Sequence, residues 1–157
     1  MEQPVSESPV PSAREVVERY LAAALDPSGE TLADLYGDTV VIEMPFALPG
    51  TPKSSESTNA ELRARFKGAA AALVFTKVDG VVIYETTDPD VVIVEYEMHG
   101  HRTADNGSFV LPYINILTVK NGKIVHSKDR TNPIDAAAAL GMLPRLIEAI
   151  SKGAAGQ

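Results

Sequence analysis

The sequence predicts one α+β domain, in which helices come first, a long run of strands follows and helices return at the end. Two capping boxes, at 12–15 and 58–61, mark the starts of early helices. Asn121-Gly122 separates two strand-like segments, and both residues of such a hairpin turn need positive φ. The 157 residues are an ordinary size for a single domain that buries a core.

The first half of the chain carries helices and one strand. We predict a disordered lead-in over residues 1–11, which are rich in Pro, Ser and Glu, then a single domain over 12–151 and a flexible tail over 152–157. The first helix ends before Pro27, because proline cannot continue a helix. The segments that follow are predicted as a helix over 29–36, a strand over 39–44, a loop over 45–57, and a helix from 58 to about 67 with an ambiguous alanine run after it.

The second half alternates as strands do. Strands are predicted over 73–86, 91–101, 111–120 and 123–130, and helices over 134–140 and 143–151. Side chains two residues apart share a face of a strand. In the strand over 91–101, one face carries Val92, Val94, Tyr96 and Met98, and the other carries Glu95, Glu97 and His99. In the strand over 111–120, one face carries Tyr113, Asn115, Leu117 and Val119. In the strand over 123–130, one face carries Val125, Ser127 and Asp129. Polar Asn115 and acidic Asp129 therefore occupy half-apolar strand positions.

Composition excludes several functions. The net charge of −7 and scattered basic residues argue against a nucleic-acid partner, and no basic amphipathic helix or long apolar run predicts a membrane partner. There is no cysteine to act as a nucleophile. The pair His99 and His101 lacks an identifiable third ligand, so we predict no metal, and no glycine motif predicts a nucleotide cofactor. The N-terminus lacks secretory-signal features, so we expect a cytoplasmic protein.

Four blocks of sequence resemble the SnoaL-like proteins, a branch of the NTF2-like superfamily with ketosteroid isomerases, polyketide cyclases, phenazine-pathway PhzA/B proteins and limonene epoxide hydrolase. The blocks are VVERYLAAALD at 16–26, VVIEMPFALPGTP at 40–52, YETTDPDVVIVEYEMHG at 84–100 and NGKIVHSKDRTNP at 121–133. Their order along the chain matches as well. The resemblance implies an NTF2-like cone, or α+β barrel: a curved, mostly antiparallel sheet wrapped around helices, with one deep apolar pocket. It also implies a homodimer joined through the outer face of the sheet.

The resemblance also implies candidate catalytic residues. SKDRTNP resembles the last-strand motif of PhzA/B proteins, whose carboxylate does acid/base work, so Asp129 is the first candidate. Glu43 lies near the isomerase general base, although Met44 intervenes and a shift of one residue would move it to the other sheet face. Tyr20 is either an oxyanion donor or a core tyrosine, and Asn115 is either a second donor or a strand residue bonded to backbone. His99, at a strand end, is a possible proton shuttle.

We predict a cofactor-free cyclase or isomerase that applies general acid/base chemistry to a hydrophobic, carbonyl-containing natural-product intermediate of the polyketide type. Contacts to this small substrate are expected from Phe46, Leu48, Tyr113, Tyr96 and Met98. Two alternatives stay open: an epoxide-opening cyclase or hydrolase, and a non-catalytic binding module. Glu95 and Glu97 stand on the strand where the epoxide hydrolase needs an Arg and an Asp, so its triad is incomplete here.

Overall fold

The computed structural model describes residues 8–48 and 50–155, which form one curved, unclosed sheet and five helices. In chain order the elements are α1 (Ala13–Ala23), α2 (Glu30–Ala33), β1 (Tyr36–Glu43), β2 (Ser54–Thr58), α3 (Asn59–Ala72), β3 (Leu73–Glu85), β4 (Val91–Arg102), β5 (Ser108–Lys120), β6 (Lys123–Thr131), α4 (Pro133–Ala139) and α5 (Leu143–Ala155). The strand order is β2-β1-β6-β5-β4-β3. Neighbouring strands are antiparallel except β1 and β6, which are parallel. The predicted α+β class and mostly antiparallel sheet are confirmed.

Helix α1 fills the concave face of the sheet. Its buried stripe packs against β3, β4 and β5 and consists of Ala13, Val16, Val17, Tyr20 and Leu21. The inward residues of β4 are buried beneath it, from Val92 at 2% exposure to Met98 at 4%. The alternation read from the sequence therefore places the core correctly, and it puts Glu97 and His99 on the outer face of the sheet.

The two capping boxes and the hairpin turn that the sequence predicts are present in the structure. The Ser12 hydroxyl accepts a hydrogen bond from the backbone N–H of Glu15, and the Glu15 carboxylate accepts one from the N–H of Ser12. Thr58 and Glu61 make the same reciprocal pair at the start of α3. These bonds satisfy N–H groups that a helix start leaves without a partner. At the hairpin, Asn121 and Gly122 have φ values of 50° and 74°, as a tight turn requires.

Several element boundaries differ from the prediction. Strand β1 begins at Tyr36, which pairs with Ile124 of β6, so the helix before it is a single turn. Residues 54–57, predicted as loop, and Thr58, predicted as the start of a helix, form the edge strand β2 on β1. The alanine run continues α3 through Ala72, as expected from the high helix propensity of alanine. Pro49, within the predicted loop, lies outside the described residues, as do residues 1–7 of the predicted lead-in.

A bulge in β6 corrects one predicted face. The pairing register between β5 and β6 shifts between Thr118 and Val119, which pair with His126 and Ile124. The extra residue moves Val125 out of alternation, so Ile124, with no exposed surface, shares the inward face with Ser127. The same shift places Asp129 on the inward face, opposite Asn115.

The chain after β6 folds back over one end of the sheet. Helix α4 packs against β5, and α5 packs against α4. Helix α5 continues to Ala155. Across the described part of the chain, every helix is too short or too polar to cross a membrane.

Candidate functional site

Asp129 lies on the inward face of β6, directly opposite Asn115 of β5. The Asn115 side-chain amide donates a hydrogen bond to Asp129 Oδ1 over 2.7 Å. The hydroxyl of Ser127, which is 1% exposed, donates to the same oxygen. Within the described residues Oδ2 accepts no hydrogen bond from the protein, so one carboxylate oxygen is held in place while the other remains available to a ligand.

Burial raises the pKa of the Asp129 carboxyl above its ordinary value, because the charged form loses contact with water. The hydrogen bonds from Ser127 and Asn115 oppose this rise, since both stabilise the ionised form. Burial is the larger effect. Asp129 is therefore a stronger base than a solvent-exposed aspartate would be, and this suits it to accept and return a proton.

Asp129 opens onto an apolar cavity of about 440 Å³, a size that accommodates a small organic molecule. The cavity lies between the loop after β1 and the two C-terminal helices. Its lining is largely aliphatic and includes Met44, Leu48, Ala137, Leu140 and Leu146. Of the described residues that line the cavity, only Asp129 and Arg145 are charged. A ligand here would be enclosed by apolar surface with one carboxyl group in reach.

A cluster of tyrosines lies in the core beside Asp129. The hydroxyls of Tyr20 and Tyr96 are hydrogen-bonded at 3.0 Å, and their rings meet edge to face. The ring of Tyr113 stacks on Tyr96, with centroids 5.3 Å apart and planes within 10°. Helix α1 supplies Tyr20, whereas the adjacent strands β4 and β5 supply the stacked pair.

Burial raises the pKa of each tyrosine in this region, well above the ordinary value for Tyr20, Tyr36 and Tyr96 and to about 12 for Tyr113. The negative charge of Asp129 adds to the rise in all four. Their hydroxyls therefore stay protonated at neutral pH, and the carboxyl group of Asp129 lies within electrostatic reach of a group of neutral donors.

Glu43 faces away from the cavity. On β1 the buried residues are Tyr36, Val40 and Ile42, so Met44 continues the inward face and Glu43 belongs to the outer one. Its carboxylate meets His126 Nε2 at 2.6 Å and Lys128 Nζ at 3.8 Å, both from the neighbouring strand. The expectation that Glu43 enters the pocket is corrected here: the residue between Glu43 and the proline has taken the inward position.

The expected substrate contacts divide into two groups. Phe46 and Leu48 line the cavity, with Phe46 at its rim and 57% exposed. Tyr113, Tyr96 and Met98 pack in the core and are not among the lining residues, and the same is true of Tyr20. The reason is that α1 covers the concave face above the tyrosines, while the cavity opens at the end of the sheet beneath α4 and α5.

The structure does not bring His99 to Asp129. His99 lies on the outer face of β4, where its Nε2 is 3.6 Å from Glu97. Over the described ranges, no three side chains of His, Asp or Glu are grouped as metal ligands would be. The amide of Asn115, interpreted as either an oxyanion donor or a residue bonded to backbone, donates to Asp129.

Sequence reasoning missed much of the cavity wall. Thr131, Pro133, Ala136 and Arg145 all come from the end of β6 or the C-terminal helices. The amphipathic pattern of 143–151 indicates that one side of that helix is covered, but not what it covers. Ser127 was placed on the face of Asp129, and its role as a donor follows only from the observed contact.

Comparison with known proteins agrees with this architecture. The SnoaL-like domain family matches residues 17–127. Two curated relatives, both uncharacterized, are similar in sequence. The protein YesE of Bacillus subtilis is 25% identical, and the match covers 81% of this chain and 86% of YesE. A PhzA/B-like protein of Pseudomonas aeruginosa is 29% identical, and the match covers 83% of this chain and 91% of that protein.

Solved structures superpose closely. A Bacillus subtilis protein provisionally named an isomerase has a TM-score of 0.74 at 25% identity, covering 83% of this chain and 93% of its own. A Pseudomonas putida protein provisionally named a polyketide cyclase has a TM-score of 0.68 at 19% identity, covering 82% and 98%. A Catenulispora acidiphila protein with a ketosteroid isomerase-like fold, solved with trimethylamine, has a TM-score of 0.64 at 17% identity, covering 82% and 93%. With the family match over residues 17–127, these likenesses establish that the chain belongs to the SnoaL-like domain family and has the NTF2-like fold.

Proposed function

We propose that the protein is a cofactor-free isomerase or cyclase that moves a proton on an apolar, carbonyl-containing small molecule, with Asp129 as the proton carrier. The substrate is of the polyketide type in this proposal, in keeping with the provisional name of the Pseudomonas putida structure. A carboxylate removes a proton from the carbon next to the carbonyl and returns it at another position in an isomerisation. In a cyclisation the enolate carbon attacks a second carbonyl of the same molecule, whose C=O π bond opens to an alkoxide that takes the proton from the Asp129 carboxyl.

The observation that carries the proposal is the environment of Asp129. Its Oδ1 is fixed by Asn115 and Ser127, its Oδ2 is left for a ligand, and the cavity around it is apolar. Fixing one oxygen orients the other without removing its basicity, and enclosure by aliphatic side chains strengthens the electrostatic effect of the charge. Asn115 and Ser127 act here as positioning residues.

Epoxide opening receives less support than proton transfer. That reaction needs an acid and a base on opposite sides of the substrate. Within the described cavity wall Asp129 is the only carboxylic acid, since Glu43 lies on the outer face of the sheet. A non-catalytic binding module remains the outcome if Asp129 proves unnecessary for turnover.

Exchange of α-protons for deuterium tests the proposal without knowledge of the product. An apolar ketone such as 2-tetralone, with a panel of larger cyclic ketones, is incubated with the protein in D₂O and followed by proton NMR. Asp129→Asn should slow the exchange by about 10²- to 10⁴-fold, the usual worth of a positioned acid/base group. Asp38→Asn, the same change at an exposed position of β1, should leave the rate unchanged. Exchange by Asp129→Asn at the wild-type rate would refute the proposal.

We propose in addition that two copies associate through the outer face of the sheet. Large apolar side chains are exposed there on β3 and β5: Val82 at 44%, Tyr84 at 47%, Val110 at 50% and Ile114 at 40%. Register places them on one face, because Val110 and Ile114 pair with the outward residues His99 and Glu95. An exposed sheet face that carries several large apolar side chains around polar ones is typical of protein–protein contacts.

A further inference from the structure

Arg145 is the only cation among the described residues that line the cavity. It lies on α5, whose Leu146 and Ala149 line the same wall. The guanidinium group forms no ion pair with Asp129. The two charged groups therefore lie apart in a cavity wall whose other described residues are uncharged. A molecule that fills the cavity would meet a carboxyl group at one place and a guanidinium group at another.

Neighbouring acids do not neutralise Arg145. The first turn of α5 contains no acidic residue. Glu148, the next acid along this helix, pairs with Lys152 at 2.6 Å. In the part of the chain that the structure describes, no carboxylate forms an ion pair with Arg145, and the same is true of Arg19, Arg65 and Arg130, whereas Arg14, Arg63 and Arg102 have acidic partners. Of the arginines without such a partner, Arg145 is the one that lines the apolar cavity. In a chain of net charge −7, an arginine without an acidic partner beside a cavity suits a ligand with a negative charge.

We infer that the substrate carries an anionic group, a carboxylate in the simplest case, which Arg145 binds at the rim of the cavity while the carbonyl lies near Asp129. The inference rests on the proposed function for the position of the carbonyl, but not for the anion. Arg145 is exposed, so water screens its charge. A screened cation is better suited to bind an anionic group that the substrate already carries than to stabilise negative charge that develops during the reaction. Arg145 therefore favours carbonyl compounds that carry an anionic group and orients them in the cavity.

Two fluorescent probes with one skeleton test the inference. N-phenyl-1-naphthylamine is apolar and neutral, and 8-anilino-1-naphthalenesulfonate adds a sulfonate. Binding of each is titrated to the wild-type protein, to Arg145→Gln and to Arg19→Gln, the same change on the exposed face of α1. Ala149→Phe, which fills part of the cavity, should weaken both probes and so locates them there.

Arg145→Gln should weaken the sulfonate about fivefold, as expected for one partly solvated ion pair, and should change the neutral probe less than twofold. Added salt should weaken the sulfonate on the wild-type protein and have little effect on Arg145→Gln. Equal affinity of the sulfonate for wild type and Arg145→Gln, or equal weakening of both probes, would overturn the inference. Because no turnover is measured, a failure here is distinct from a failure of Asp129→Asn to slow proton exchange.

Discussion

Removal of the Ser127 hydroxyl should destabilise the protein by an amount that depends on pH. The hydroxyl donates to Asp129 Oδ1 from a fully buried position, and Ser127→Ala removes that donor with little change in volume. A hydrogen bond to a charged group is worth about 1.5–3 kcal/mol, and one between neutral groups about 0.5–1.5 kcal/mol. We therefore expect a loss of about 1.5–3 kcal/mol at a pH well above the raised pKa of Asp129, where the carboxyl is ionised.

The sign of the pH effect follows from which form of Asp129 the bond stabilises. Ser127 lowers the pKa of the carboxyl by favouring the ionised form, so its loss raises that pKa further. As the pH falls and Asp129 takes up a proton, the bond weakens toward a neutral one. The cost of Ser127→Ala should accordingly fall to about 0.5–1.5 kcal/mol near pH 3.5.

Urea unfolding followed by far-ultraviolet circular dichroism is a suitable assay, since the chain has no tryptophan for fluorescence. Ser57→Ala is the matched control: Ser57 is also buried in a strand, but its hydroxyl accepts a hydrogen bond from Arg65 instead of donating one to a carboxylate. The cost of that control should not change with pH. An equal cost of Ser127→Ala at both pH values would refute the assignment of Ser127 as a donor to an ionised Asp129.

Four further substitutions have expected outcomes. Asp129→Asn should have the same free energy of unfolding as the wild type at pH values below the ordinary aspartate pKa of about 3.9. As the pH rises through the raised pKa of Asp129, the variant should become the more stable protein, because only the wild type must then bury a charge. Urea unfolding at a series of pH values measures this difference. Tyr20→Phe should lower the free energy of unfolding by about 1–2 kcal/mol, because the hydroxyl of Tyr96 loses its hydrogen-bond partner. Tyr113→Phe should lower it by less than about 0.5 kcal/mol, since no hydrogen bond joins the Tyr113 hydroxyl to a described residue. Sedimentation velocity should find a dimer of the wild type and a monomer of Ile114→Lys, and a wild-type monomer would remove the proposed interface.

Local chemistry explains which parts of the fold were predictable. Capping boxes and the Asn121-Gly122 turn depend on contacts within four residues, so the sequence is enough to locate them. Alternation in β4 and β5 extends over many residues, so the sequence is enough to identify their inward faces. The prediction of Asp129 as a pocket residue rested on the family resemblance, because Asp129 lies opposite Asn115 only through the register shift at the bulge.

The remaining parts depend on contacts between distant segments. Whether Glu43 or Met44 faces inward is decided by the pairing of β1 with β2 and β6, and nothing within the first strand sets that phase. The bulge at Val125 has no local signal, since neither Gly nor Pro marks it. The position of α4 and α5 over the cavity depends on the path of the chain after β6, so Arg145 could not be assigned to the site from its own neighbours.

The pH dependence of α-proton exchange shows directly whether Asp129 is the base. For a base that must be ionised in the free protein, kcat/KM rises with pH through the pKa of that base. We expect a rise whose midpoint lies above the ordinary value of about 3.9 for aspartate and coincides with the titration of the Asp129 carboxyl carbon in an NMR experiment. A rate that stays constant while Asp129 titrates, or a profile that Asp129→Asn leaves unchanged, would contradict it.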